Sequence, residues 1–143
     1  MGNLTKNFSR SEFKCKCGCG DDRISLELVE MLQEARKWST REARKTVRYS
    51  IVSGIRCKAH NASVGSSKNS AHIPAKIVSG GEDEPMGHAV DLRAVTSGPR
   101  LYILAGLISV GFNRIGMGKN FIHADIDTRK PQNVLFHYYA IGS

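Results

Sequence analysis

The chain carries five histidines, His60, His72, His88, His123 and His137, in company with Asp91, Asp125 and Asp127. Imidazole nitrogen and carboxylate oxygen are donors that zinc accepts, and a hydrolytic zinc site uses three protein ligands and leaves one position for water. Four of the five histidines fall between Ser53 and Asp91 or in the segment Phe121-Ile122-His123-Ala124-Asp125. Alternation along a strand sorts them further, because successive side chains point to opposite faces. In His88-Ala89-Val90-Asp91, Ala89 and Asp91 share a face and His88 takes the other, so His88 and Asp91 do not easily hold one ion. In the later segment His123, Asp125 and Asp127 share a face. If the two segments are neighbouring strands, Asp91 meets His123, and His72 supplies a third ligand from a loop. The chemistry on offer is metal-assisted hydrolysis of an amide bond. The plain alternative for any single histidine is an ordinary polar side chain. His137, in an apolar-aromatic stretch, is read that way, and His60 and Asn61 are read as shaping their loop.

The elements that would position these residues can be followed along the chain. Ser9 and Glu12 fit a capping box, so a short helical turn is expected there. Ser25 caps a helix to about Trp38, with Leu28, Met31, Leu32, Ala35 and Trp38 forming an apolar stripe. Thr46 to Val52 alternates and is β-branched, which predicts a strand ending at Ser53-Gly54. Ile55 to Gly87 reads as a long loop, and loops of that length in compact domains are usually functional. His88 to Val95 is the next strand, and Ser97-Gly98-Pro99 opens a helix that stops at Gly111. Phe112 to Met117, Phe121 to Asp127 and Val134 to Tyr139 predict three more strands. Helices between early strands and short turns between late ones argue for an α+β fold with a mostly antiparallel sheet.

At 143 residues, residues 1–143 are expected to form a single domain. The hydrophobic fraction of 41% and charged fraction of 24% point to a globular chain rather than a disordered one. No apolar run approaches the ~20 residues of a membrane helix, so no membrane insertion is expected. The start of the chain has no apolar stretch of the secretory kind, so synthesis in the cytoplasm without a signal peptide is expected. The formal charge of +8 and pI of about 9.6 favour polyanionic partners. Nucleic acid, anionic membrane and an anionic cell wall all qualify, and solubility is the bland alternative. No aromatic-rich basic stripe and no nucleic-acid motif is present, so no specific nucleic-acid partner is expected.

Cys15, Cys17, Cys19 and Cys57 are the four cysteines. Three readings stand beside one another: reduced, partly buried thiols; a disulfide between Cys57 and one of the first three; and a four-thiolate structural zinc site. The last ranks third, because structural zinc ligands usually have two or more residues between them.

An ordered set of short motifs carries a resemblance. Ser53-Gly54-Ile55-Arg56-Cys57-Lys58-Ala59-His60-Asn61, Val64-Gly65, Asn69-Ser70-Ala71-His72, Gly87-His88-Ala89-Val90-Asp91 and Phe121-Ile122-His123-Ala124-Asp125 resemble, in order, the zinc D-Ala-D-Ala carboxypeptidase family. That family includes peptidoglycan peptidases and phage endolysins and shares a fold with the hedgehog signalling domain. The likeness covers roughly residues 8 to 127, and Asn7-Phe8-Ser9 through Cys15-Lys16-Cys17 is similar to phage members. The resemblance implies one zinc ion on His72, Asp91 and His123. It implies that Arg56 orients a substrate carboxylate or carbonyl, as a fixed guanidinium fork can.

Two departures from the family pattern bear on the site. The family has two residues between its first histidine and the glycine, whereas here residues 73–86 intervene, with His88 as the fallback ligand. Many members carry a carboxylate three residues before the last histidine, whereas here that residue is Asn120, and an amide cannot take a proton. Asp125 is then the expected general base, with a role in holding the His123 ring as its alternative. Impaired catalysis is a third possibility.

These readings predict a monomeric zinc peptidase of hedgehog-like fold, cutting a peptide bond in the peptidoglycan stem or cross-bridge. As an endolysin it would act at the bacterial wall after release from the cytoplasm, held there by its basic surface. A wall-binding or phage structural protein that keeps the zinc site, and a nucleic-acid-binding module, are the alternatives.

Overall fold

A computed structural model describes residues 2–66, 69–77 and 84–138. The architecture is α+β, with a mixed five-stranded sheet and three helices. The helices are α1 (Leu26–Ala43), α2 (Lys58–Ser63) and α3 (Ser97–Ser109). The strands are β1 (Ile51–Ser53), β2 (Ala89–Arg93), β3 (Arg114–Met117), β4 (Phe121–Asp125) and β5 (Val134–His137). Their order across the sheet is β1-β2-β4-β3-β5. Every neighbouring pair is antiparallel except β3 with β5.

Local chemistry accounts for the ends of the elements. The Glu12 carboxylate accepts from the Ser9 amide at 2.6 Å, closing the expected capping box on a 3-10 turn, Arg10–Phe13. Ser25 Oγ accepts from the Leu28 amide at 3.3 Å and starts α1. That helix runs five residues past Trp38, because Ser39 belongs to its inner face: Ser39 Oγ donates to the Tyr102 carbonyl of α3 at 2.6 Å. It ends where Arg44 turns left-handed, at φ 55°.

The sheet has two unlike faces. Val90 and Leu92 of β2, Ile122 and Ala124 of β4 and Ile115 of β3 join one buried cluster with Leu28, Leu32 and Ala35 of α1 and Ile103 and Leu107 of α3. Burying a side chain of this kind contributes about 1.5–3 kcal/mol. The residues between them, Asp91, His123 and Asp125, therefore point to the opposite face. There a pocket opens over them.

The structure corrects two expectations. The alternation from Thr46 to Val52 reports burial and not pairing: Val47 and Tyr49 are buried, but only Ile51–Ser53 pairs with β2. The stretch from Ile55 to Gly87 contains α2, and the insertion within it has a closed neck. Ala75 and Met86 exchange backbone hydrogen bonds of 2.9 and 3.1 Å, and the His88 amide donates to the Ala71 carbonyl at 3.3 Å. The extra residues are thereby pinched off, and His72 is held beside the start of β2. Much of the insertion, residues 78–83, lies outside the described residues.

Gly106 sets the contact of α1 with α3. A Cβ there would lie 2.3 Å from Ser39 Oγ, 2.6 Å from the Tyr49 hydroxyl and 2.8 Å from the Ala35 carbonyl. Gly106→Ala is predicted to destabilise the protein by about 1–3 kcal/mol in urea unfolding, through overpacking; unchanged stability would mean that the helices are not packed this closely.

Candidate metal centre

The centre begins as a row across the sheet. Ser53 pairs with Asp91, Asp91 with His123, His123 with Gly116 and Gly116 with Phe136. The next row on the same face contains Ala89, Asp125, Arg114 and Val134. Opposed residues in an antiparallel pair have Cβ atoms about 4.5–5.5 Å apart. Asp91 and His123 are thus neighbours by register, and His123 Nδ1 lies 2.9 Å from Asp91 Oδ1. Gly116 keeps the row open: a Cβ there would come within 2.4 Å of the Phe136 ring and 2.8 Å of the Tyr138 ring. In its absence the His123 ring lies 5.7 Å from that of Phe136.

His72 arrives from the loop with its ring already oriented. Its Nδ1 is 2.7 Å from the Gly54 carbonyl, a contact in which the nitrogen must donate. Gly54 is fixed in turn: a Cβ would meet the Phe13 carbonyl at 2.7 Å, and the adjacent Ile55 amide donates to that carbonyl at 2.8 Å. With its proton on Nδ1, His72 presents a lone pair on Nε2. That atom is buried, makes no hydrogen bond among the described residues and lies 3.3 Å from Asp91 Oδ1. A buried polar atom without a partner is costly unless something else engages it.

His123 shows the reverse arrangement. Its Nε2 is 2.7 Å from Asp125 Oδ2, so the proton sits on Nε2 and Nδ1 is left to face Asp91. Asp125 is 1% exposed and is itself held: Oδ1 accepts from Arg114 Nε at 2.8 Å and from the Asp127 amide at 3.0 Å. His72, Asp91 and His123 each offer one ligand atom within 4.8 Å of the others. Two imidazoles and a carboxylate, each ring anchored through its second nitrogen, fit a zinc ion by donor type and by orientation.

Electrostatics favour the ligand forms of Asp91 and His72. Burial pushes the Asp91 carboxyl up, but the imidazoles of His123 at 2.9 Å and His72 at 3.3 Å outweigh it and hold Asp91 well below the usual carboxylate range. Burial lowers the His72 pKa, which favours the neutral ring that a metal needs. For His123, burial opposes charge, but the Asp125 and Asp91 carboxylates raise its pKa, so an ion bound at Nδ1 displaces a proton there. Arg114 balances Asp125, which leaves Asp91 as the carboxylate facing the two rings.

A pocket of about 500 Å³ opens over these groups, bordered also by Arg56, Ser70, Lys130 and Tyr138. Arg56 Nη2 donates to Ser70 Oγ at 3.4 Å, whereas Arg56 Nε is buried with no hydrogen-bond partner among the described residues. Burial lowers the Arg56 pKa, and Asp91, Tyr138 and Cys15 act in the opposite direction.

The model of the peptidase M15 family matches residues 6–125. The chain belongs to the peptidase M15 family. M15 peptidases are zinc-dependent, and this member has a histidine and aspartate group able to hold a metal ion where the sequence pattern indicated. No curated protein and no solved structure matches the chain significantly.

Other residues singled out in the sequence lie elsewhere in this M15 chain. His88 is buried just before β2 and borders a separate cavity with Glu27 and Ile77. His60 lies in α2 and His137 ends the edge strand β5. Asp127 lies beyond the end of β4, so alternation no longer governs it; its carboxylate is bound by Arg129 and Lys130, both at 2.9 Å. Asn120 precedes β4, its carbonyl accepting from the Ala94 amide at 2.9 Å. Sequence reasoning missed Arg114 and Tyr138. Arg114 is opposite Asp125 in register, which only the strand pairing reveals.

His72→Ala and Asp91→Ala are each predicted to lower bound zinc by one equivalent per chain, counted by plasma mass spectrometry after dialysis. Full zinc content in both variants would remove this ligand set.

Proposed function

We propose that the protein is a zinc metallopeptidase that hydrolyses a peptide bond in the stem or cross-bridge of bacterial peptidoglycan. Membership of the M15 family supports the peptidase activity, and the observation that carries the zinc chemistry is the orphaned Nε2 of His72 facing Asp91 and His123. A zinc ion held there supplies Lewis acidity toward the scissile carbonyl and brings the pKa of a water toward ~7. The protein side chains do the rest. Arg56 offers a buried, unpartnered Nε and a guanidinium fork to a substrate carboxylate or carbonyl. Burial, with Asp91 and Asp125, pushes the Tyr138 hydroxyl up, so it stays protonated and able to donate to an oxygen that gains charge.

Asp125, expected as the base, takes a different part in this reading. Its three donors include the ring it orients, and it lies on the Nε2 side of His123, away from the atom that faces Asp91. We assign it to positioning His123. Asp125→Asn is predicted to weaken zinc binding ~10–100-fold, with hydrolysis returning at saturating zinc. Hydrolysis that stays absent at saturating zinc would make Asp125 the base instead.

One observation favours a second reading, a wall-binding protein that keeps the metal but does not hydrolyse. With Asn120 an amide and Asp125 engaged, no carboxylate among the described pocket residues is free to take the water's proton. Purified peptidoglycan incubated with the protein, with and without chelator, decides between the two. The peptidase reading predicts new amine termini, identified by mass spectrometry, that chelator abolishes. Zinc-dependent binding to the wall without new termini would establish the second reading. In the same assay Arg56→Lys is predicted to raise KM with little change in zinc content.

Under either reading we place the protein at the bacterial wall as a single-domain monomer, its net charge of +8 favouring an anionic polymer. A phage endolysin released from the cytoplasm is the role this best suits.

A further inference from the structure

The four cysteines, which the peptidase reading leaves unused, converge on one point. Cys15, Cys17 and Cys19 come from the segment after the 3-10 turn, and Cys57 from the residue before α2. Their four sulfurs all lie within 4.8 Å of one another. Cys17 Sγ is 3.4 Å from Cys15 Sγ and 3.6 Å from Cys57 Sγ, and all four are free thiols. In a tetrahedral site with zinc–sulfur bonds of ~2.3 Å, neighbouring sulfurs stand about 3.8 Å apart. A disulfide instead draws one pair to ~2.05 Å and excludes the others. Here one sulfur is close to two partners, neither bonded to it.

The backbone supports the same arrangement. The Cys57 amide is 3.5 Å from Cys15 Sγ, and the His60 amide is 3.4 Å from Cys57 Sγ, so N–H groups point at sulfurs as they would at thiolates. The tight Cys-x-Cys-x-Cys spacing, which ranked this reading last from sequence, is made workable by Gly18 and Gly20, at φ 90° and 82°. Left-handed residues at those two places fold the segment back on itself.

We infer that Cys15, Cys17, Cys19 and Cys57 form a second, structural metal site, a four-thiolate cage for zinc or another thiophilic divalent cation. Binding forms four metal–sulfur bonds, breaks four S–H bonds and releases four protons to solvent. The loaded cage carries a net charge of −2, in a neighbourhood that includes Lys14, Lys16, Arg56 and Lys58. With four protein ligands it has no open position, so it is a staple and not a second reaction centre. It ties the lead-in segment to the residue that follows Arg56. The same stretch carries Gly54, whose carbonyl orients His72. The cage therefore braces both a candidate substrate contact and a ligand of the first site, yet its existence does not depend on the peptidase reading.

The test is a metal count and a cobalt spectrum on the full chain, purified under reducing conditions. Wild-type protein is expected to hold two zinc equivalents, the His72→Ala/His123→Ala variant one, and the Cys17→Ser/Cys19→Ser variant one fewer than wild type. When cobalt replaces zinc, the His72→Ala/His123→Ala variant should show intense near-ultraviolet thiolate-to-metal charge-transfer bands. Those bands decide the matter even if the cysteine variants fail to fold. One equivalent in wild type with such bands would uphold the cage and defeat the His72 site. Their absence from the cobalt-loaded histidine variant, or a disulfide among the four cysteines in metal-loaded protein, would overturn the cage.

Discussion

The pairing of β2 with β4 in a register that sets Asp91 opposite His123 is the constraint on which the site depends. A slip of β2 by one residue would turn Asp91 into the helix-packed face and bring Val90 or Leu92 to the open one beside His123. The register is held by what lies beneath it. Val90, Leu92, Ile122 and Ala124 are fully buried against α1 and α3, and several apolar side chains at about 1.5–3 kcal/mol each resist any slip. The hydrophobic core thus specifies the polar face from beneath the sheet.

The remaining ligand comes from outside the sheet, and a loop residue is harder to place. Here the backbone carries the load. Phe13 holds Ile55 and crowds Gly54, the Gly54 carbonyl fixes the His72 tautomer, and the His72 carbonyl accepts from the Arg56 amide at 3.0 Å. The insertion would separate His72 from Asp91 if it were a simple spacer. Its neck at Ala75 and Met86 removes that effect, so the twelve residues beyond the family's two leave the site unchanged. Both rings are pinned through the nitrogen that faces away from Asp91, which limits the entropy lost when an ion is bound.

Much of this was legible in the sequence, for physical reasons. Strand alternation separated His88 from Asp91, and the structure places them on different cavities, His88 just before the start of β2. The same rule grouped Asp127 with His123, but β4 ends at Asp125 and alternation carries no information past the end of a strand. Caps at Ser9 and Ser25 were readable because they are local. Arg114 was not, because its meaning lies in a cross-strand pair. The extent of the first strand was misjudged because Val47 and Tyr49 alternate in burial without a partner strand, and composition cannot distinguish the two. The cysteine cluster was undervalued because a spacing rule drawn from other folds takes no account of left-handed glycines.

The account rests on one ion bounded by His72 Nε2, the Asp91 carboxylate and His123 Nδ1. Anomalous diffraction at the zinc edge, on crystals grown with zinc, locates that ion directly. The account predicts a peak within bonding distance of those three groups, with Asp125 on the far side of the His123 ring. A peak on His88, on His123 Nε2, or none between the three would contradict it.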